Sequence, residues 1–393
     1  MFKFLAGRRP RGAGLLLLLG AGLPFAVQAD WKALAALERD GARVSASVMD
    51  LGSGVVLQQL NAGKRLSPAS VTKLVVAAAA LDVWPADKSF ETRILATGPI
   101  RDGRVAGDLI INGDGDATFD HRDLWLLAGQ VRAAGIRSVG RSIVAYPVFG
   151  PLGCDNVDRC EALASSDTAF NVPLAALGVD FGTWCVQVQA TTPGQPALLR
   201  SCAGVALPIP VEGVITTRTP RAKESFWIGR DTTDGQDRLR VGGVIAPGET
   251  QEIFRAMSDP ALGTALLLRQ MLAELGIAVT GKTHVHYGPP IEATSVIARA
   301  NGMALREQLG RMLRYSNNYV ADLLTLDIAA ARTPKPPTQL AEASAILAGH
   351  LKKPTGGRPP RLYSGSGLTP ENELSAAELV EMLHGEYRDA ETF

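Results

Sequence analysis

The sequence predicts a mixed α/β protein. A helix-rich domain comes in two separated pieces, residues 30–90 and 291–393, with mostly β inserted domains at 91–290 between them. Three observations predict it. Apolar residues recur at helical spacing towards both ends of the chain, in LVVAAAAL, ALREQLGRMLRY and ELSAAELVEMLHGEYR. Between them the texture shifts to short alternating runs broken by glycine and proline, such as TRILATG and WCVQVQATTPG. Finally, 393 residues that are 46% hydrophobic and 20% charged can bury more than one core.

The first 29 residues stand apart. Lys3, Arg8, Arg9 and Arg11 form a positive n-region, Gly12 to Phe25 is apolar or small except at Pro24, and Val27-Gln28-Ala29 offers small residues for cleavage. That is the pattern of a secretory signal peptide cut near Ala29, so the expected location is periplasmic. The apolar run is shorter than the ~20 residues a membrane span needs. Losing this segment moves the formal charge from +1 to −3, which gives nucleic acid no electrostatic attraction.

Trp31 to Arg39 reads as a short amphipathic helix. VSASVMD and VVLQQL alternate on either side of Leu51-Gly52-Ser53-Gly54, a β-hairpin with a glycine-bearing turn. Next comes LSPASVTKLVVAAAAL, a greasy helix that Pro68-Ala69 is expected to enter in extended form. The insert opens with the strands TRILATG and GDLIINGDGD, the helix DLWLLAGQVRAAG and the strand SIVAYPVF. Helix DPALGTALLLRQMLAELG ends at Gly276 and leads into IAVTGKTHVHYG, read as one strand. In ALREQLGRMLRYSNNYVADLLTLDIAA, two helices break near residues 315–318. A helix at 338–351, the solvent loop KKPTGGRPPR and the helix ELSAAELVEMLHGEYR complete the chain.

All four cysteines, Cys154, Cys160, Cys185 and Cys202, fall in one segment of 49 residues. In an exported protein two disulfides are the expectation, and Cys154–Cys160 with Cys185–Cys202 closes the shortest local loops. A zinc site is disfavoured, since the segment has neither CxxC nor histidine.

Ser70 and Lys73 carry the chemistry. Residues three apart share a helix face, so Lys73 can reach back to Ser70. A serine hydroxyl is a weak nucleophile that needs an adjacent base. Burial against an apolar helix, with the positive end of the helix dipole, disfavours the charged amine and suits it to that task. The same dipole favours an oxyanion. Ser-x-x-Lys is short enough to arise by chance, with Ser70 an N-cap and Lys73 a solvated residue. It occurs once in this chain, however, and so does Ser-x-Asn, at Ser316-Asn317-Asn318. A loop there could present Ser316 as a proton relay and Asn318 as an amide for a substrate carbonyl; alone, it would be a polar turn between helices.

PASVTK, SNN and SGSGLTPEN at 364–372 resemble the D-alanyl-D-alanine carboxypeptidase/endopeptidases, the class C low-molecular-mass penicillin-binding proteins. GDLIINGDGDATF, GVDFGTWCVQVQATTPG, RVGGVIAPG and MSDPALGTALLLRQMLAELGI extend the likeness from about residue 31 onward. The resemblance implies a penicillin-binding-protein/β-lactamase-like serine transpeptidase domain with a large strand-rich insert. It implies Ser70 as the acylated nucleophile, Lys73 as its base, Ser316 as relay to the leaving D-alanine and Asn318 as holder of the substrate amide. Peptidoglycan stem peptides would be the substrates and β-lactams the acylating inhibitors, with no metal or organic cofactor.

The sequence departs from that family at its third element, Lys-Thr-Gly. Lys282-Thr283 is followed by His284, and Lys353-Pro354-Thr355-Gly356 is interrupted and precedes SGSGL. By analogy the C-terminal strands of the central sheet are missing as well, through an artificial or frameshifted end or in a degenerate relative. Asn317 and Ser364 stand where relatives usually carry aspartate. Two functions are therefore expected in competition: a penicillin-sensitive serine hydrolase of peptidoglycan, and a non-catalytic cell-wall-binding relative.

Asn112 to Asp120 spaces oxygen ligands like a calcium loop, but Ala117 takes the place of the required glycine, so a turn is expected. His284 and His286 share a strand side and are expected as exposed edge residues. Gly365-Ser366-Gly367 lacks the spacing of a nucleophile elbow and should form a tight turn under the site.

Overall fold

The computed structural model describes residues 31–150, 152, 167–218, 225–293, 295–351 and 359–387. The proposed leader, residues 1–29, and the expected Cys154–Cys160 pair lie outside them, as does most of KKPTGGRPPR. The architecture is mixed α/β, with one core in the insert and a second among the helices.

The insert is organised by a five-stranded sheet in the order Thr283–Val285, Ile143–Pro147, Leu109–Gly113, Glu91–Ala96, Ser295–Asn301. The first three strands run parallel and the last two pairings are antiparallel. All five residues of Leu109–Gly113 are buried, as a strand covered on both faces requires. Helix His121–Ala133 packs Leu124, Leu127, Ala128 and Val131 into this core. Its start is fixed by a capping box between Asp120 and Asp123. Helix Pro260–Glu274 is capped by Asp259, begins at proline and buries apolar residues on most of its circumference. Two three-stranded sheets lie between residues 183 and 256. One pairs Leu198–Ser201 and Thr250–Ala256 with Thr183–Gln189, and the other pairs Val211–Thr217 and Ser225–Thr233 with Gln236–Ile245. Cys185 and Cys202 are joined, which rules out zinc at those two sulfurs.

One reading needs correction here. IAVTGKTHVHYG is two strands: Ala278–Val279 pairs with Ser138–Val139 in a separate four-stranded sheet, and Thr283–Val285 joins the five-stranded one. Gly281 turns the chain between them, so close to Arg141 that a Cβ would press on its backbone. Strand Ser295–Asn301 pairs antiparallel with Glu91–Ala96. Thr283–Val285 is an edge strand and His284 is exposed on it.

The helical part surrounds Thr72–Val83. This helix is apolar on every face from Val75 to Ala80, and it is buried accordingly. Helices Leu305–Tyr315, Asn318–Arg332, Leu340–His350 and Ala376–Tyr387 pack around it. The hairpin of Ala46–Met49 and Val56–Leu60 forms a two-stranded sheet, with Val56 and Leu57 exposed. Among the described residues, no helix is long and apolar enough to cross a membrane.

Candidate active site

The entry to the central helix is not extended. Pro68 is helical in φ and ψ, Ala69 takes a left-handed φ of 47°, and Ala69–Val71 makes a single 3-10 turn that runs into Thr72. A non-glycine residue in this region is strained and needs support from its surroundings. Thr72 supplies it, its Oγ1 donating to the Ala69 carbonyl at 2.8 Å. Ser70 makes no capping bond and stands exposed, whereas Lys73 is only 1% exposed.

The Lys73 Nζ lies 3.2 Å from Ser70 Oγ, 2.9 Å from Asn318 Oδ1 and 2.8 Å from the Ser366 carbonyl oxygen. The last two oxygens can only accept, so they take N–H bonds from the amine. The Ser70 hydroxyl can also donate to a nitrogen lone pair. Ser316 Oγ donates to Ser70 Oγ at 2.9 Å. The four polar residues singled out in the sequence therefore meet at one point, from segments separated by about 250 positions.

Local sequence explains how the second segment is presented. Ser316 ends helix Leu305–Tyr315 in a left-handed conformation, φ 53°. Asn317 then caps the next helix through its Oδ1, accepting from Val320 N at 3.0 Å, and Asn318 is that helix's first residue. An asparagine is as good a cap as the aspartate expected at this position.

Gly365-Ser366-Gly367 does lie under the site. A Cβ on Gly365 would overlap Thr325 and Val76, and one on Gly367 (φ 78°) would overlap the Ala69 carbonyl oxygen. Only glycine fits at either place. Asn372, fully buried, holds this segment with its Oδ1 accepting from Tyr363 N and its Nδ2 donating to the Ser364 carbonyl, both at 2.8 Å. Asp322, also fully buried, accepts from Ser366 N at 2.7 Å. Sequence reading missed Asp322 and Asn372. The signal for Asp322 was an acid set within the apolar run YVADLL, one helical turn after Asn318.

The loop spaced like a calcium site is built differently. Asp116 turns its Oδ1 onto Thr118, accepting from N at 2.9 Å and from Oγ1 at 2.8 Å. Burial raises the Asp116 carboxyl to about 6, and burial beside Asp114 and Asp116 pushes Asp327 up in the same direction. Gly115 and Gly302 leave room for the Asp327 and Asp116 carboxyls respectively. Among the described residues, the group of three metal-competent side chains that converges is Cys185, Cys202 and Glu252, whose cysteines are committed to the disulfide.

An exposed hydroxyl flanked by a buried amine and a second hydroxyl can lose its proton to nitrogen as it attacks an acyl carbon. The family model described as "D-Ala-D-Ala carboxypeptidase 3 (S13) family" matches residues 27–392. The chain is 29% identical over 361 residues to a D-alanyl-D-alanine carboxypeptidase of Actinomadura sp. (strain R39), covering 88% of this chain and 64% of that protein. It is 23% identical over 350 residues to the D-alanyl-D-alanine carboxypeptidase DacB of Haemophilus influenzae, covering 88% of this chain and 71% of that one. The crystal structure of penicillin binding protein 4 from Haemophilus influenzae shares the fold, with a TM-score of 0.68 at 22% identity over 91% of this chain and 79% of its own. The same protein has also been solved in complex with a novel β-lactam.

Proposed function

The chain belongs to the D-Ala-D-Ala carboxypeptidase 3 (S13) family, and from that premise we propose that it is a penicillin-sensitive serine-type D-Ala-D-Ala carboxypeptidase/endopeptidase acting on peptidoglycan stem peptides. The helical part and the hairpin then constitute a serine transpeptidase-like domain, and the hairpin is the beginning of its central sheet. The leader at residues 1–29 would direct the protein to the periplasm, where that substrate lies.

One observation carries the reading: Lys73 Nζ within 3.2 Å of Ser70 Oγ, held there by the Asn318 side chain and the Ser366 carbonyl. Ser70 Oγ attacks the carbonyl carbon of the penultimate D-alanine as its proton passes to the Lys73 nitrogen. The C–N bond of the tetrahedral intermediate breaks, and the proton reaches the leaving amine through the Ser316 hydroxyl, 2.9 Å from Ser70. Asn318 Oδ1 is taken by Lys73, which leaves its amide N–H groups for a substrate carbonyl. Water then attacks the Ser70 ester, returning the acid and the free hydroxyl. A β-lactam offers a strained amide to the same hydroxyl and stops at the ester. The steps use side chains alone and call for no cofactor.

Labelling with a fluorescent penicillin tests the proposal. A covalent label on the wild type that Ser70→Ala abolishes is expected. A wild-type chain that takes no Ser70-dependent label while still sedimenting with purified peptidoglycan sinks the hydrolase reading in favour of a cell-wall-binding relative.

A further inference from the structure

The carbonyl that holds the Lys73 amine and the N–H that Asp322 holds belong to one residue, Ser366. Ser366 sits between two glycines in a turn that has no side chains of its own to brace it on either flank, and glycine is the residue with most backbone freedom to lose. The turn is wedged between the helix of Lys73 and the helix of Asn318, as the overlaps at Gly365 and Gly367 show. The turn's peptide N–H at Ser366 donates to the Asp322 side chain, 2.7 Å away and fully buried. Asp322 also follows Asn318 by four positions, one helical turn, so the two side chains lie on one face. A single helix face thereby touches the amine directly, through Asn318, and at one remove, through Asp322 and Ser366.

We propose that Asp322 is a positioning residue for the acylation step: by fixing the Ser366 peptide it aims the Ser366 carbonyl, and through it the Lys73 nitrogen, at Ser70. The inference rests on the functional reading above. Asp322 touches neither the substrate nor the reacting atoms, so it acts on the rate of proton transfer and not on the encounter with substrate.

The test is the pre-steady-state acylation of the full chain by a chromogenic cephalosporin, resolving the encounter constant from the acylation rate constant, with thermal unfolding alongside. Displacing a reacting group by about 1 Å costs on the order of 100-fold. Asp322→Ala should lower the acylation rate constant by about that factor, with the encounter constant unchanged. Asp322→Asn, whose amide oxygen can still accept from Ser366 N, should recover most of the rate. Should Asp322→Ala fail to fold, Asp322→Leu fills the same space without an acceptor and replaces it in the comparison. The proposal is overturned if the variants without an acceptor acylate at the wild-type rate, if they lose only encounter affinity, or if Asp322→Asn is as slow as they are. A wild type that takes no label overturns the functional reading itself, and is told apart by the wild-type trace alone.

Discussion

Ser316 and Ser70, 246 positions apart, share a hydrogen bond of 2.9 Å between their hydroxyls, and Ser316 is held in a left-handed conformation to make it. The bond gives Ser70 a hydroxyl neighbour in addition to the buried amine. In the proposed mechanism the two neighbours divide the roles of base and relay.

Ser316→Ala removes the relay and leaves the base. General acid–base contributions of this kind are worth roughly 10²–10⁴. The rate of Ser70 acylation by penicillin should fall by about 100-fold or more, while the melting temperature stays within a few degrees. Stopped-flow labelling and a thermal melt on the same sample check both halves.

Gly367→Ala should act on the fold and the site together. The new Cβ meets the Ala69 carbonyl oxygen, and the backbone there is left-handed. Overpacking of this type costs about 1–3 kcal/mol. Chemical denaturation should report a loss in that range, and labelling should slow because the displaced atom is the neighbour of Ser70.

Asp116 makes stability depend on pH in a defined direction. Its carboxyl is raised by burial from 3.8 to about 6, so between those values the folded chain holds a proton that the unfolded chain has lost. Stability therefore falls as pH rises through that window, by up to about 1.4 kcal/mol per pH unit for one such proton. Below it both states are protonated and the cost is absent; above it the cost is fully present. Asp327 adds in the same sense. Denaturation midpoints measured across the window should show the slope. Asp116→Asn, which can keep its bond to Thr118 N, should flatten it.

Replacing Cys185 and Cys202 together with alanine reopens a loop with a sequence separation of 17. Loops of this size are worth about 3 kcal/mol in the chain-entropy account. The double variant should unfold at lower denaturant, while labelling of the folded fraction is unchanged, because the bond lies in the insert.

The elements legible in the sequence were those with a strong period or a closed local logic. The all-apolar run Val75–Ala80 announced a buried helix, and the glycine-bearing turn at 51–54 announced a hairpin. Ser70 with Lys73, and Ser316 with Asn318, were visible because each spacing occurs once and each implies a shared face or a loop. Three features were not legible. The left-handed Ala69 depends on the turn at Gly367 packing against it, a contact between residues about 300 positions apart. The division of 278–285 into two strands depends on which neighbours Arg141 and Ile143 offer. Asp322 gains its meaning only from Ser366, which no local pattern places beside it.

The bond from Lys73 to Ser366 spans 293 positions, so the amine is aimed only after the whole insert has been made and the last quarter of the chain has returned to meet the first. Contacts of such long range are the slow ones to form, since loop closure must come before they contribute. On the proposed function, reaction with penicillin would thus be a late milestone of folding, and intermediates with an intact insert core would be chemically silent. Time-resolved labelling during refolding would read that final docking directly, as a clock for the closing of the molecule.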